Sequence, residues 1–235
     1  VGVMIATALA LWPTLRAHRD SLGRTLAHWR GEPIALGGYH QSRRNLIDAG
    51  NWLSEHGGGT LSSTSPTPPH AVMAPWHLGH RLLYAGGLPT VVGNFGDDLG
   101  PKNFALHRRY MLSDEPRGIV QLDRAQARFV VMESLTAEAH ARLGPRTMVR
   151  RLNQAPLEDL AFHRLRYATP PGPRTPSTRF YRIFERVGGA EVTGRAEPGT
   201  SVEAVMLVRA GKMGIRSRHE TTADAEGVYR LRLAQ

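Results

Sequence analysis

Between Thr169 and Ser177 the chain places Pro170, Pro171, Pro173 and Pro176 around Gly172. Proline fixes φ and carries no backbone donor, so a stretch this dense in proline admits neither a helix nor an interior strand. It reads as a linker, 169–177, and the residue patterns on its two sides differ. After it, Phe180–Arg186, Glu191–Arg195, Ser201–Val208 and Val228–Leu233 alternate between apolar and polar residues. Gly188-Gly189, Pro198-Gly199, Gly211 and the run from Asp224 to Gly227 supply turns between them. Short alternating runs punctuated by turn residues predict a β-sandwich module over 178–235, with β structure only.

Before the linker, short apolar runs alternate with helical spacing. Leu46, Ala49 and Leu53 recur at helical intervals within Ser42–His56, with Ser42 as the expected N-cap and Gly57–Gly59 as the stop. Ala71–Ala74 and Thr90–Val92 are brief strand candidates, and His80–Tyr84 belongs to a short helix closed by Gly86 and Gly87. Asn103–Leu112 reads as a helix, and Arg128–Met132 as a buried strand. Ser134 is the expected cap of a helix running to Leu143, and Phe162–Tyr167 alternates like a further strand. This order predicts a small mixed α/β domain over 31–168 and an α+β class for the whole.

Val1–Trp12 is an almost unbroken apolar run that ends at Pro13, with Arg16, His18 and Arg19 following. A helix needs about 20 apolar residues to span a bilayer. The run is therefore expected to be the end of a transmembrane helix that begins upstream, with residues 1–30 forming that end and a juxtamembrane segment. The arginines after it favour a cytoplasmic side, although large domains translocate largely regardless of charge. The net charge of +10 comes almost wholly from arginine, scattered from Arg16 to Arg232 without a dense run. No nucleic-acid fold motif accompanies it, so nucleic acid is not an expected partner. The chain has no cysteine, which excludes disulfides and thiolate chemistry.

The segment Pro68-Pro69-His70-Ala71-Val72-Met73-Ala74-Pro75-Trp76-His77-Leu78-Gly79-His80 resembles the signature region of the oligosaccharyltransferase catalytic subunit, most closely its archaeal form. That family places a Trp-Trp-Asp-Tyr-Gly-His run after a short strand. Trp76, Gly79 and His80 match it, while Pro75, His77 and Leu78 stand where its first tryptophan, its aspartate and its tyrosine would be. The Pro89–Gly96 run, the order of Arg151-Leu152-Asn153 and His163-Arg164-Leu165, and the Phe184–Gly194 opening of the β module extend the resemblance from about Ser42 onward.

The resemblance implies a parent enzyme that transfers a glycan from a polyprenyl-phosphate carrier to a protein acceptor, with this part exposed on the periplasmic or extracytoplasmic side. Trp76, His77, Leu78, Gly79 and His80 are then the acceptor-binding residues. The family's divalent metal, magnesium or manganese, sits with its carboxylates in membrane loops that would precede Val1. This chain alone therefore lacks the catalytic carboxylates and binds no metal itself. The expected partners are the membrane, an acceptor polypeptide and, through the membrane part, the polyprenyl-linked glycan. In the family an aspartate accepts the hydroxyl of the acceptor serine or threonine; His77 accepts only through an unprotonated ring nitrogen. His70, His77 and His80 lack an evident further ligand and second shell for zinc. The rival reading is a non-enzymatic, membrane-anchored envelope module that binds glycan or a partner protein.

Overall fold

The apolar run Phe129-Val130-Val131-Met132 forms the middle of a strand buried on both faces, and the rest of the domain is built around it. A computed structural model of the chain describes residues 19, 23, 25–26, 29–30, 38–57, 70–94, 100–170, 178–211 and 213–234. The expected transmembrane remnant at Val1–Trp12 and the loop at Thr60–Pro69 lie outside these residues. Two compact units divide at Gly37/Gly38. In the first, the described positions 19, 23, 25, 26 and 29 are helical, and Trp29 is 80% exposed. Among the described residues no helix is long and apolar enough to cross a membrane.

The second unit opens with α1 (Gly38–His56), then β1 (Ala71–Met73), a 3-10 turn (Trp76–Leu78) and α2 (Gly79–Gly86). It continues with α3 (Pro101–Leu112), α4 (Glu115–Arg124), β2 (Ala127–Glu133), α5 (Ala137–Arg142) and α6 (Met148–Arg151). The remaining elements are strands: β3 (Leu157–Glu158), β4 (His163–Ala168), β5 (Tyr181–Arg186), β6 (Ala190–Arg195), β7 (Ser201–Ala210), β8 (Met213–Thr222) and β9 (Val228–Leu233). The class is α+β, with one four-stranded sheet in the order β1-β2-β5-β4, a second of β3-β8-β7, and a pair of β6 and β9.

Alternation along β2 sends its side chains to two cores. Phe129 and Val131 pack with Leu46, Ala49 and Leu53 of α1, with Leu78 of the 3-10 turn and with Leu82 of α2. Val130 and Met132 pack on the other side with Tyr110 of α3 and with Ile119 and Leu122 of α4. Helices thus cover both faces of the sheet, and burial of each large apolar side chain contributes about 1.5–3 kcal/mol. β1 runs parallel to β2, whereas β5 runs antiparallel to both β2 and β4. A Cβ on Gly50 of α1 would lie 2.4 Å from Ala85 Cβ of α2, so glycine sets the close approach of these helices.

Several local readings change in the folded chain. Ser42 is not an N-cap: α1 begins at Gly38, and the Ser42 hydroxyl donates to Gly38 O while accepting from Arg179 N at 2.7 Å. A serine inside a helix can serve as a tertiary tether as readily as a cap. Ser134 likewise accepts from Phe180 N, and Thr136 caps α5 instead. The strand expected at Phe180–Arg186 forms, as β5, yet it joins the first sheet across the proline-rich stretch. Alternation reveals a strand but not its neighbour. From Arg179 to Ala234 the described residues contain strands and no helix.

Candidate functional site

Parallel β1 and β2 release the chain at the same end of the sheet, and their carboxyl ends carry the signature residues. Pro75 follows β1 with extended backbone, and Trp76–Leu78 winds into the 3-10 turn that leads straight into α2. Leu78 is buried among α1, β2 and β5 and anchors this turn. Gly79 is required by close approach: a Cβ there would stand 2.2 Å from Val92 O and 2.7 Å from Gly93 Cα. The Asn94 amide, oriented to donate, reaches Trp76 O at 2.9 Å and His77 O at 3.2 Å. With the turn held from below by Leu78 and from the side by Asn94, Trp76 and His77 point outward.

Trp76 is 48% exposed, and its ring meets the His77 imidazole edge-on at a centroid distance of 5.9 Å. His77 Nε2 lies 2.8 Å from Glu133 Oε2, at the last residue of β2. Glu133 also accepts from the Tyr181 hydroxyl at 3.4 Å and lies 3.8 Å from the Arg179 guanidinium. Burial, reinforced by Glu133, pushes the Tyr181 phenol far above its usual range, so it stays a donor. Arg179 is held by its backbone: its N–H goes to Ser42 and its carbonyl accepts from Asn45 Nδ2 at 2.8 Å. His80 is exposed on the first turn of α2, where its ring lies over Gly93.

Of the sequence-predicted residues, Trp76, His77 and His80 therefore reach the surface together, while Leu78 and Gly79 support them from inside. Sequence reading missed Glu133, Tyr181 and Arg179, which arrive from β2 and from the residues around the start of β5. It also missed His107 of α3. Burial lowers the His107 pKa below the ordinary histidine range, and the nearby His77 charge adds to this. The His107 Nε2 is buried without a partner among the described residues. A carboxylate closing an apolar strand gives the only sequence-level clue, in the Val-Met-Glu ending of β2. Beside Arg179 and Tyr181 opens a cleft of ≈ 630 Å³, lined also by Ser134, Thr169 and Phe180.

Chemically the site offers an aromatic wall, a ring nitrogen and a carboxylate. With Nε2–H donated to Glu133, the His77 Nδ1 is left as an acceptor for a hydroxyl. Among the described residues no group of three or more His, Asp or Glu side chains is arranged to hold a metal. His70, far from joining His77 and His80, lies at the opposite end of β1, and burial lowers its pKa.

No protein-family model and no curated protein sequence matches the chain. Solved structures do match in fold. A crystal structure of the Archaeoglobus fulgidus oligosaccharyltransferase in complex with zinc and sulfate aligns with 81% of this chain and 41% of its own length, at a TM-score of 0.61 and 11% identity. The archaeal oligosaccharyltransferase AglB of the same organism, in complex with an inhibitory peptide and a dolichol-phosphate, aligns with 94% of this chain and 44% of its own, at 0.60 and 11% identity. A third structure, tethered to an acceptor peptide containing the NVT sequon, gives 0.58, 12% identity, and coverage of 81% and 38%. The chain thus spans about two fifths of the length of the proteins it matches.

Proposed function

We propose that this chain, whose fold is that of the C-terminal region of an oligosaccharyltransferase, forms the acceptor-facing part of a glycosyltransferase acting on protein. The parent would move a glycan from a polyprenyl-phosphate carrier to an acceptor polypeptide on the extracytoplasmic side of a membrane. Its divalent metal and catalytic carboxylates would belong to the membrane part, as the family resemblance implies. The neighbours bound to peptide and to dolichol-phosphate support this choice of partners.

The observation that carries the reading is the His77–Glu133 pair beside the half-exposed Trp76. The family's signature has a carboxylate where this chain has His77, and Glu133 of β2 brings a carboxylate back to within 2.8 Å of that ring. Acceptor binding then runs through both residues. Trp76 walls the acceptor, Nδ1 of His77 accepts the serine or threonine hydroxyl, and Glu133 fixes the imidazole tautomer from behind. Arg179 and Tyr181 hold Glu133 in turn. Strand carboxyl ends are also where ligands bind in sheets with parallel strands, because the loops there leave a crevice.

Glycan transfer by the full-length parent to peptides with and without a serine or threonine tests the proposal. Trp76→Ala should weaken acceptor binding by about 2 kcal/mol, the loss expected for an aromatic anchor. His77→Asp alone sets two carboxylates against each other. Paired with Glu133→Gln, it should strengthen the preference for hydroxyl-bearing peptides. Equal transfer to both peptides by the parent and all variants would show that this turn does not read the acceptor, and would favour the envelope-module reading.

A further inference from the structure

We infer that the cleft between α3 and α4 is a binding site for an organic phosphate that carries a hydroxyl and a short apolar part, of the glycerol-phosphate or sugar-phosphate class. The inference stands apart from the acceptor site and does not depend on it. The cleft encloses ≈ 490 Å³ and is lined by Arg108, Arg109 and Leu112 from α3 and by Arg117, Val120, Gln121 and Arg124 from α4. Spacings of three and four residues put these side chains on one face of each helix. All four arginines are exposed, and no guanidinium among them makes an ion pair or hydrogen bond to a described residue.

The acids of these helices are committed elsewhere. Asp114 caps α4, Asp123 binds Arg186 through both oxygens at 3.1 and 3.2 Å, and Glu115 is buried against His163. The cleft is therefore positively charged without internal compensation. Planar guanidiniums match the paired oxygens of a phosphate better than a point charge does. Leu112 and Val120, 56% and 45% exposed, supply an apolar flank that inorganic phosphate would not use.

The independent sign of a ligand is Gln121. The residue is 9% exposed and lines the cleft, and its Oε1 is buried with no partner among the described residues. A buried acceptor without a donor costs free energy, and rotation of the Gln121 amide about its last bond would bring Oε1 to an incoming O–H or N–H. Guanidiniums around an orphan acceptor ask for a phosphate with a hydroxyl close by.

The 235-residue chain should be titrated calorimetrically with glycerol 3-phosphate and with inorganic phosphate, and separately sedimented with phosphatidylcholine vesicles with and without phosphatidylglycerol. Glycerol 3-phosphate should bind more tightly than inorganic phosphate. Arg109→Gln with Arg124→Gln should weaken it by about tenfold, the effect of losing charge-assisted hydrogen bonds. Arg209→Gln with Arg216→Gln removes the same charge from the exposed face of β7 and β8 and should leave binding nearly unchanged. Gln121→Met should erase the preference over inorganic phosphate while keeping phosphate binding. Binding confined to phosphatidylglycerol vesicles and lost with the first pair identifies a lipid headgroup as the source, whereas binding of the soluble ester identifies a free phosphate. Equal loss with both arginine pairs, or no binding in any arm, would overturn the proposal.

Discussion

Two histidine–glutamate pairs of nearly equal length occupy opposite environments in this fold. His77 and Glu133 meet at 2.8 Å with 45% and 19% of their side chains exposed, while His163 and Glu115 meet at 2.7 Å with 0% and 4% exposed. In the buried pair every polar atom is used. His163 Nδ1 contacts Glu115 Oε1, and Nε2 lies 3.0 Å from the Tyr110 hydroxyl. Glu115 also accepts from the amides of Ala161 and Phe162. In the exposed pair one ring nitrogen remains open beside an aromatic side chain. Distance alone therefore does not distinguish the two pairs; the number of uncommitted atoms does.

The comparison breaks most visibly if a member of the buried pair is removed. Glu115→Ala strands two amides and an imidazole in the core, and should cost about 3–5 kcal/mol in urea denaturation. Tyr110→Phe leaves only His163 Nε2 unmatched and should cost about 1–3 kcal/mol by the same measurement.

Acid sharpens the contrast further. Burial by itself would raise the Glu115 carboxyl, but the hydrogen bond and charge of His163 and the two amides outweigh it and hold the group below the carboxylate range. Glu185 is held low in the same way, burial being outweighed by Arg128 and Arg164. Between the unfolded carboxyl value of about 4.3 and the lower folded one, the unfolded chain holds protons that the fold does not. Stability is thus full above that window and drains away as pH falls through it. Glu115→Gln should give a shallower acid limb, still sloped because Glu185 persists; an unchanged limb would assign the acid sensitivity to Glu185 and its arginines alone.

The smallest stability change belongs to the exposed pair. Glu133→Gln should shift stability by less than about 1 kcal/mol, as for other half-exposed ion pairs, while on the proposed reading it alters acceptor preference. A large loss of stability instead would place the His77–Glu133 pair with the buried one.

Sequence patterning reached most of the strands because they obey it. β6 and β9 lie within a residue of their alternating runs, β2 lies within a residue of its buried apolar run, and the signature turn falls where its Gly79 demands. β8 escaped because its inward positions include Ser217 and His219, which hydrogen-bond to each other at 3.1 Å inside the core, so polar residues occupy both faces. α4 escaped because its apolar stretch is short; its start was nevertheless written in Asp114, which caps it, and in Pro116 within the first turn. The site was half legible. Trp76 and His77 stand in a local motif, but Glu133, Arg179 and His107 reach it only through strand pairing and helix packing, which no local pattern encodes.

The central place of β5 bears on how the protein is made. Tyr181–Arg186 lies between β2 and β4, and among the described residues no other strand joins those two. A nascent chain that has emerged only as far as the prolines holds two strands with unmatched inner edges and lacks the tyrosine that braces Glu133. Until the residues of β5 clear the ribosome, the earlier segments cannot close their sheet, so the face that carries Trp76 and His77 and the late strands mature together. Premature termination in the proline-rich stretch would then yield not a smaller working domain but an open-edged, association-prone fragment.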